Sequence, residues 1–192
     1  MIRPEVEAPA ETPSSEANRA VSPLWYAFAI FVAITGGVLG ILGAIIQEVR
    51  AGGFILLPII GAPVIEEALK PTGVYFLLVR WRFVLRSQLF TAFLAALAGL
   101  TFGLIEAFVY VNVYVDNAPD WFVTYRFTLP LVLHTTGSFI VGLAINSSLV
   151  DWAQGRAPLP RRTRNLYFTA VALHGIYNTI AIALSLAGVF DF

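Results

Sequence analysis

The chain has 192 residues, 58% of them hydrophobic and only 12% charged, and its 12 basic and 12 acidic residues cancel. Soluble domains carry roughly 25% charged residues, so this composition excludes an ordinary water-exposed globule, and with no basic surplus no nucleic-acid partner is indicated. There is no cysteine, so a disulfide frame and a thiolate metal site are excluded as well.

Residues 1–21 open with MIRPEVEAPAETPSSEANRA, a stretch rich in Pro, Glu, Ala and Ser that contains no aromatic residue. That composition predicts a disordered tail. The tail is acidic on balance and leads into too long an apolar run to be a signal peptide. Residues 22–192 read as one integral membrane domain. Its long apolar runs, each near the ~20 residues that a helix needs to cross a bilayer, fall at about 24–46, 54–79, 89–115, 121–150 and 166–189. The expected fold is therefore all-α, a polytopic bundle of five spans with short connections. The connection after the second run carries Arg80, Arg82 and Arg86, and that after the fourth carries Arg156, Arg161, Arg162 and Arg164. The opposite connections carry Arg50 on one side, and Asp116 and Asp120 on the other. The positive-inside rule places the Arg-rich connections and the N-terminus in the cytoplasm and Phe192 outside. The expected location is a bacterial cell membrane.

The first run contains Gly36, Gly37, Gly40 and Gly43, and the third contains Gly99 and Gly103. Small residues four apart let helices approach closely in lipid, so these glycines read as packing residues.

Polar residues inside the apolar runs carry the information. Glu66, Glu67 and Lys70 lie in the second run within GAPVIEEALKP, Glu106 in the third, Arg126 and His134 in the fourth, and His174 and Asn178 in the fifth. A charge at mid-bilayer costs about 2.5–3.5 kcal/mol, so such groups should face one another. At ~1.5 Å per residue, Glu66, His134 and His174 lie roughly 18–23 Å from the outer helix ends, and Glu106 roughly 14 Å. Four helices thus bring polar groups to a similar layer. Lys70 is spaced to pair with Glu66 or Glu67, whose side chains diverge by about 100°. Pro63 and Pro71 bracket the glutamates and remove two backbone donors, which predicts a bent or locally open helix. Arg126, near the outer end, reads as an anchor able to snorkel.

Carboxylates, imidazoles and a carboxamide at one depth fit two hydrolytic centres. In one, Glu and His hold a divalent metal such as zinc, which acidifies a water to a pKa of ~7; the candidate ligands are Glu67, Glu106, His134 and His174. In the other, a buried glutamate is general base on a water, while a His and an Asn stabilise the oxyanion. The spacing does not match HExxH, so the sequence requires no metal.

The same residues resemble the PrsW family of intramembrane proteases, related to the CAAX-protease and bacteriocin-processing group. EEALK at 66–70 matches EExxK, and FGLIE at 102–106 matches an FxxxE element. Arg126 and HTTG at His134 match a downstream Arg and His, and HGIYN at 174–178 matches HxxxN. The resemblance implies a multipass helical endopeptidase acting on a membrane-anchored protein substrate in the lipid bilayer. It implies Glu66 as the water-activating base with Glu67 beside it, Glu106 where CAAX-type relatives have His, and His174 and Asn178 as ligand or oxyanion donors. Lys70, in place of the later Arg of CAAX-type enzymes, argues against prenyl-protein processing. Two non-enzymatic readings use the same residues: a proton or cation pathway, and a scaffold or immunity-like binder.

Overall fold

A computed structural model describes residues 21–51 and 56–188, so the predicted tail at 1–20 and the terminal Phe192 lie outside the described residues. Helix α1 spans Pro23–Ala51. A π-helical turn at Leu57–Gly61 leads into α2, Ala62–Leu69, and then α3, Thr72–Arg80. A 3₁₀ turn at Arg82–Val84 precedes α4, Gln88–Val109, which continues as a π-helical turn over Tyr110–Tyr114. Then come α5, Asp120–Arg126; α6, Leu129–Gly142; α7, Ser147–Ala153; and α8, Arg161–Leu186.

The all-α expectation holds, and the span count is corrected. Among the described residues three unbroken helices are long and apolar enough to cross a membrane: Pro23–Ile46, Gln88–Tyr114 and Arg161–Leu186. The pair Asp120–Gly142 and Ser147–Ala153, bent by 80°, passes the same test of length and apolarity when taken together, as a broken span or a re-entrant loop. The run expected at 54–79 is not one helix. Pro58, Pro63 and Pro71 each lack an N–H, and the described part of the run, from residue 56, divides into the π-helical turn, α2 and α3 around them.

Carbonyls freed by such breaks need donors, because lipid supplies none. The bend after α6 is capped from two sides. Gln88 Nε2 donates to the carbonyls of Gly142 (2.8 Å) and Ile145 (3.1 Å), and Thr163 Oγ1 donates to that of Ala144 (3.4 Å). At the other break, Asn178 Nδ2 donates to the Pro58 carbonyl at 2.7 Å, and the Tyr167 hydroxyl to that of Val64 at 2.5 Å. Thr163, Tyr167, His174 and Asn178 recur at offsets of 4, 7 and 4, which is one face of α8.

Helix α4 packs against α1 on one side and α6 on the other, the α4–α6 contact being the most extensive in the bundle. The glycines act there as expected. A Cβ on Gly99 would overlap the His134 carbonyl and the Ser138 hydroxyl, and one on Gly103 would lie 3.1 Å from the His134 ring. Helices α1 and α3 meet through Gly36 and Gly73. A Cβ on Gly73 would overlap the Val32 carbonyl oxygen and lie 3.2 Å from Ala33 Cα, and backbone cannot give way as a side chain can. Gly73→Ala is therefore expected to cost about 3 kcal/mol, the upper part of the usual overpacking range. The midpoint of reversible unfolding in mixed micelles measures it.

The Arg-rich connections share one end of the bundle. Arg82 and Arg86 line a single crevice with Asn146 and Ser147 at the bend. An aromatic cluster lies at the same end, with Trp25 4.9 Å from Phe83 and Phe28 5.0 Å from Trp81. Aromatic and basic residues of this kind mark the membrane–water interface.

Candidate active site

The prolines set off one short helix, α2, which bears Glu66 and Glu67 with Lys70 capping its C-terminal end, and it packs against α1, α8 and α6. All eight residues singled out in the sequence are brought together here. Lys70 is fully buried, and Glu67, His134 and His174 are 3% exposed or less. Glu66 and Arg126, each 8% exposed, lie toward a cavity of about 300 Å³.

Two chains of contacts converge on one point. In the first, Lys70 Nζ lies 2.6 Å from Glu67 Oε1, which lies 2.9 Å from His174 Nδ1. In the second, Arg126 donates to Glu106 Oε2 at 2.9 Å, and the same oxygen lies 2.8 Å from His134 Nε2. A carboxylate can only accept, so each imidazole donates through the nitrogen facing its glutamate. That fixes the tautomers and leaves His174 Nε2 and His134 Nδ1 as lone-pair nitrogens. His174 Nε2 lies 3.8 Å from Glu66 Oε2. His134 Nδ1 is buried with no hydrogen-bond partner among the described residues. Phe102, the aromatic of FGLIE, lies between the two chains, its ring 4.7 Å from Lys70 Nζ and 5.3 Å from the His134 ring.

The residues present fit a divalent ion. Glu66, His134 and His174 each offer a ligand atom, and these atoms lie within 4.8 Å of one another. Two nitrogens and a carboxylate oxygen form a donor set of the catalytic type, which leaves a coordination position open. Both imidazoles are backed by carboxylates, the arrangement that orients metal-binding histidines. Lys70 neutralises Glu67 at 2.6 Å and Arg126 neutralises Glu106 at 2.9 Å.

Of the four residues expected to hold an ion, the two histidines are grouped with Glu66. Glu67 accepts instead from His174 Nδ1 and Glu106 from His134 Nε2. Neighbouring residues on a helix point about 100° apart, so only one of Glu66 and Glu67 can face the histidines' lone pairs. Arg126, expected as an interfacial anchor, is buried with its guanidinium 3.7 Å from the Tyr110 ring centre. Asn178 lines the cavity while holding the Pro58 carbonyl. Gly137 of HTTG has a steric role, because a Cβ there would lie 3.0 Å from Glu67 Oε2.

Sequence reasoning missed the tyrosines. Tyr110, Tyr125 and Tyr177 line the cavity, and the hydroxyls of Tyr125 and Tyr177 share a hydrogen bond. Their signal was available: Tyr177 lies inside HGIYN, and Tyr125 precedes Arg126. Gly175 of the same motif lets α8 approach the π-helical turn, since a Cβ there would lie 2.8 Å from the Ile59 carbonyl oxygen.

The fold and this centre define a class: a helical membrane protein with a buried acid–imidazole cluster reached by a cavity. Neither a curated protein nor a solved structure matches the chain. The model of one family does, over residues 20–191, and the chain belongs to that family, the PrsW family intramembrane metalloproteases. It is thus an integral membrane protein and an intramembrane protease.

Proposed function

We propose that the chain is an endopeptidase that hydrolyses a peptide bond of a membrane-anchored protein inside the 300 Å³ cavity, with Glu66, His134 and His174 holding a divalent ion. The observation that carries this reading is the grouping of one nitrogen from each imidazole with the Glu66 carboxylate, all within 4.8 Å of one another. A divalent ion bound there would acidify a water and polarise a carbonyl.

The chain's own residues do the rest. Lys70 and Glu67 hold His174 in its Nδ1–H form, and Arg126 and Glu106 hold His134 in its Nε2–H form. Glu66 takes the proton of water as its oxygen adds to the scissile carbonyl carbon, and passes it to the departing amine nitrogen. Peptide and water thereby give a carboxylic acid and an amine, which exchange a proton to leave as carboxylate and ammonium. Asn178 and the Tyr125–Tyr177 pair, on the cavity wall, are placed to donate to the substrate's backbone oxygens. A helix hides its carbonyls, so the cleaved segment must be unwound, and the cavity admits it in extended form.

The direction of approach follows from the lining. The cavity runs from the glutamates and histidines to Tyr114, Val115 and Ser185, where α4's continuation and α8 end. That is the end opposite the Arg-rich connections. With those in the cytoplasm, the cavity opens to the outside, and Glu106 lies roughly 12 Å below Tyr114. Reconstituted with a tagged single-pass protein, the chain is expected to give two fragments cut near the outer membrane face. Cleavage should stop on stringent chelation and return with zinc. Absence of fragments under all conditions would overturn the peptidase reading, and full activity after chelation would remove the ion alone.

A further inference from the structure

A second cavity, of about 340 Å³, lies on the other side of α2, between α3, α6, α7 and α8. Its walls are apolar, with Val141, Ile145, Leu149 and Phe168 among them. Besides the Thr163 and Tyr167 hydroxyls, which are engaged with backbone carbonyls, two polar groups interrupt them. One is the Tyr75 hydroxyl, which makes no hydrogen bond among the described residues. The other is Arg164, which has no ion-pair partner among them. An apolar space with one or two placed polar groups is the usual form of a small-ligand site.

The surroundings indicate which ligand. Phe168 is 55% and Trp152 46% exposed at the rim, large apolar surface of the kind that suits lipid better than bulk water. It lies at the Arg-rich end, where Arg161 and Arg162 flank Arg164, also without ion-pair partners among the described residues. Three uncompensated guanidiniums at headgroup level beside an apolar slot match a molecule with an anionic head and a hydrocarbon tail. A soluble anion would leave the apolar walls uncovered, and a zwitterionic lipid would leave the charge unanswered.

We propose that this cavity binds an anionic phospholipid, one acyl chain lying along Leu149 and Phe168 and the headgroup phosphate on Arg164. Ala68 and the Tyr167 ring form its inner wall. Ala68 follows Glu67 in α2, and the Tyr167 hydroxyl holds the Val64 carbonyl of the same helix. The bound chain therefore fills the space behind the helix that carries Glu66 and Glu67.

Native mass spectrometry of the full chain, with phosphatidylglycerol and phosphatidylcholine added in equal amounts, tests this without any substrate and so independently of the peptidase reading. The wild type should retain phosphatidylglycerol preferentially. Arg164→Gln, at an exposed position, should cut that preference about fivefold, the weight of one basic residue near an anionic headgroup. Leu149→Trp, which fills the slot, should lose both lipids, and excess inorganic phosphate should displace neither. Equal retention of the two lipids, an unchanged preference in Arg164→Gln, or displacement by phosphate alone would each overturn the proposal.

Discussion

Glu66→Gln, His134→Ala and His174→Ala are each expected to abolish stoichiometric binding of zinc, whereas Glu67→Gln and Glu106→Gln should weaken it about 10–100-fold. The contrast follows from position. The first three supply the grouped donor atoms, while the other two glutamates accept from the imidazoles, at 2.9 Å and 2.8 Å. Removing an outer partner of a metal-bound histidine typically costs that much affinity. Competition against a chelating dye, on protein purified in detergent, measures it. Proteolysis should fall with binding, and Glu66→Gln should lose at least the ~10²–10⁴-fold that a positioned acid–base group contributes. Zinc retained by Glu66→Gln and lost by Glu67→Gln would return the ligand role to Glu67.

Lys70→Met should be the most destabilising single change in the site, by about 3–5 kcal/mol, because it leaves buried carboxylate charge without its partner. Lys70 is fully buried, 2.6 Å from Glu67 and 3.6 Å from Glu66, and among the described residues no other Lys or Arg is in ion-pair contact with Glu67. Lys70→Met combined with Glu67→Gln should regain most of the stability, since the pair is then neutral on both sides. It should not regain cleavage, because His174 has lost the carboxylate that sets its tautomer. Unfolding midpoints of the two single variants and the double variant form the required cycle. Additive losses would show that Lys70 acts elsewhere.

Much of this centre was legible in the sequence because the membrane filters what may stay inside it. A charged or imidazole side chain in hydrocarbon is costly, so Glu66, Glu67, Lys70, Glu106, His134 and His174 stood out against their apolar surroundings. Helical rise alone placed most of them at one level. What rise could not give was rotation between helices. The partition of the glutamates depends on how α2 is turned relative to α8, and no periodicity within α2 encodes that. The long spans α1, α4 and α8 were read nearly to their ends, because twenty apolar residues allow little else. The second run was read as one span, although Pro63 and Pro71 were noted. Their effect is a division into short helices and not a kink, because Asn178 and Tyr167 on α8 supply donors to carbonyls around the break. The tyrosines went unseen because a tyrosine in a membrane helix carries no cost that marks it out.

The capped bend after α6 bears on how the centre keeps its shape. Gln88 begins α4, which carries Glu106; Thr163 lies near the start of α8, which carries His174; and both bind carbonyls at the end of α6, which carries His134. The three helices are thus legs of a tripod whose feet share one knot of hydrogen bonds. Spacing among the three side chains is measured from a common origin, so errors of tilt do not accumulate from one neighbour to the next. The spread of the legs is left to the opposite end, where the cavity has its mouth.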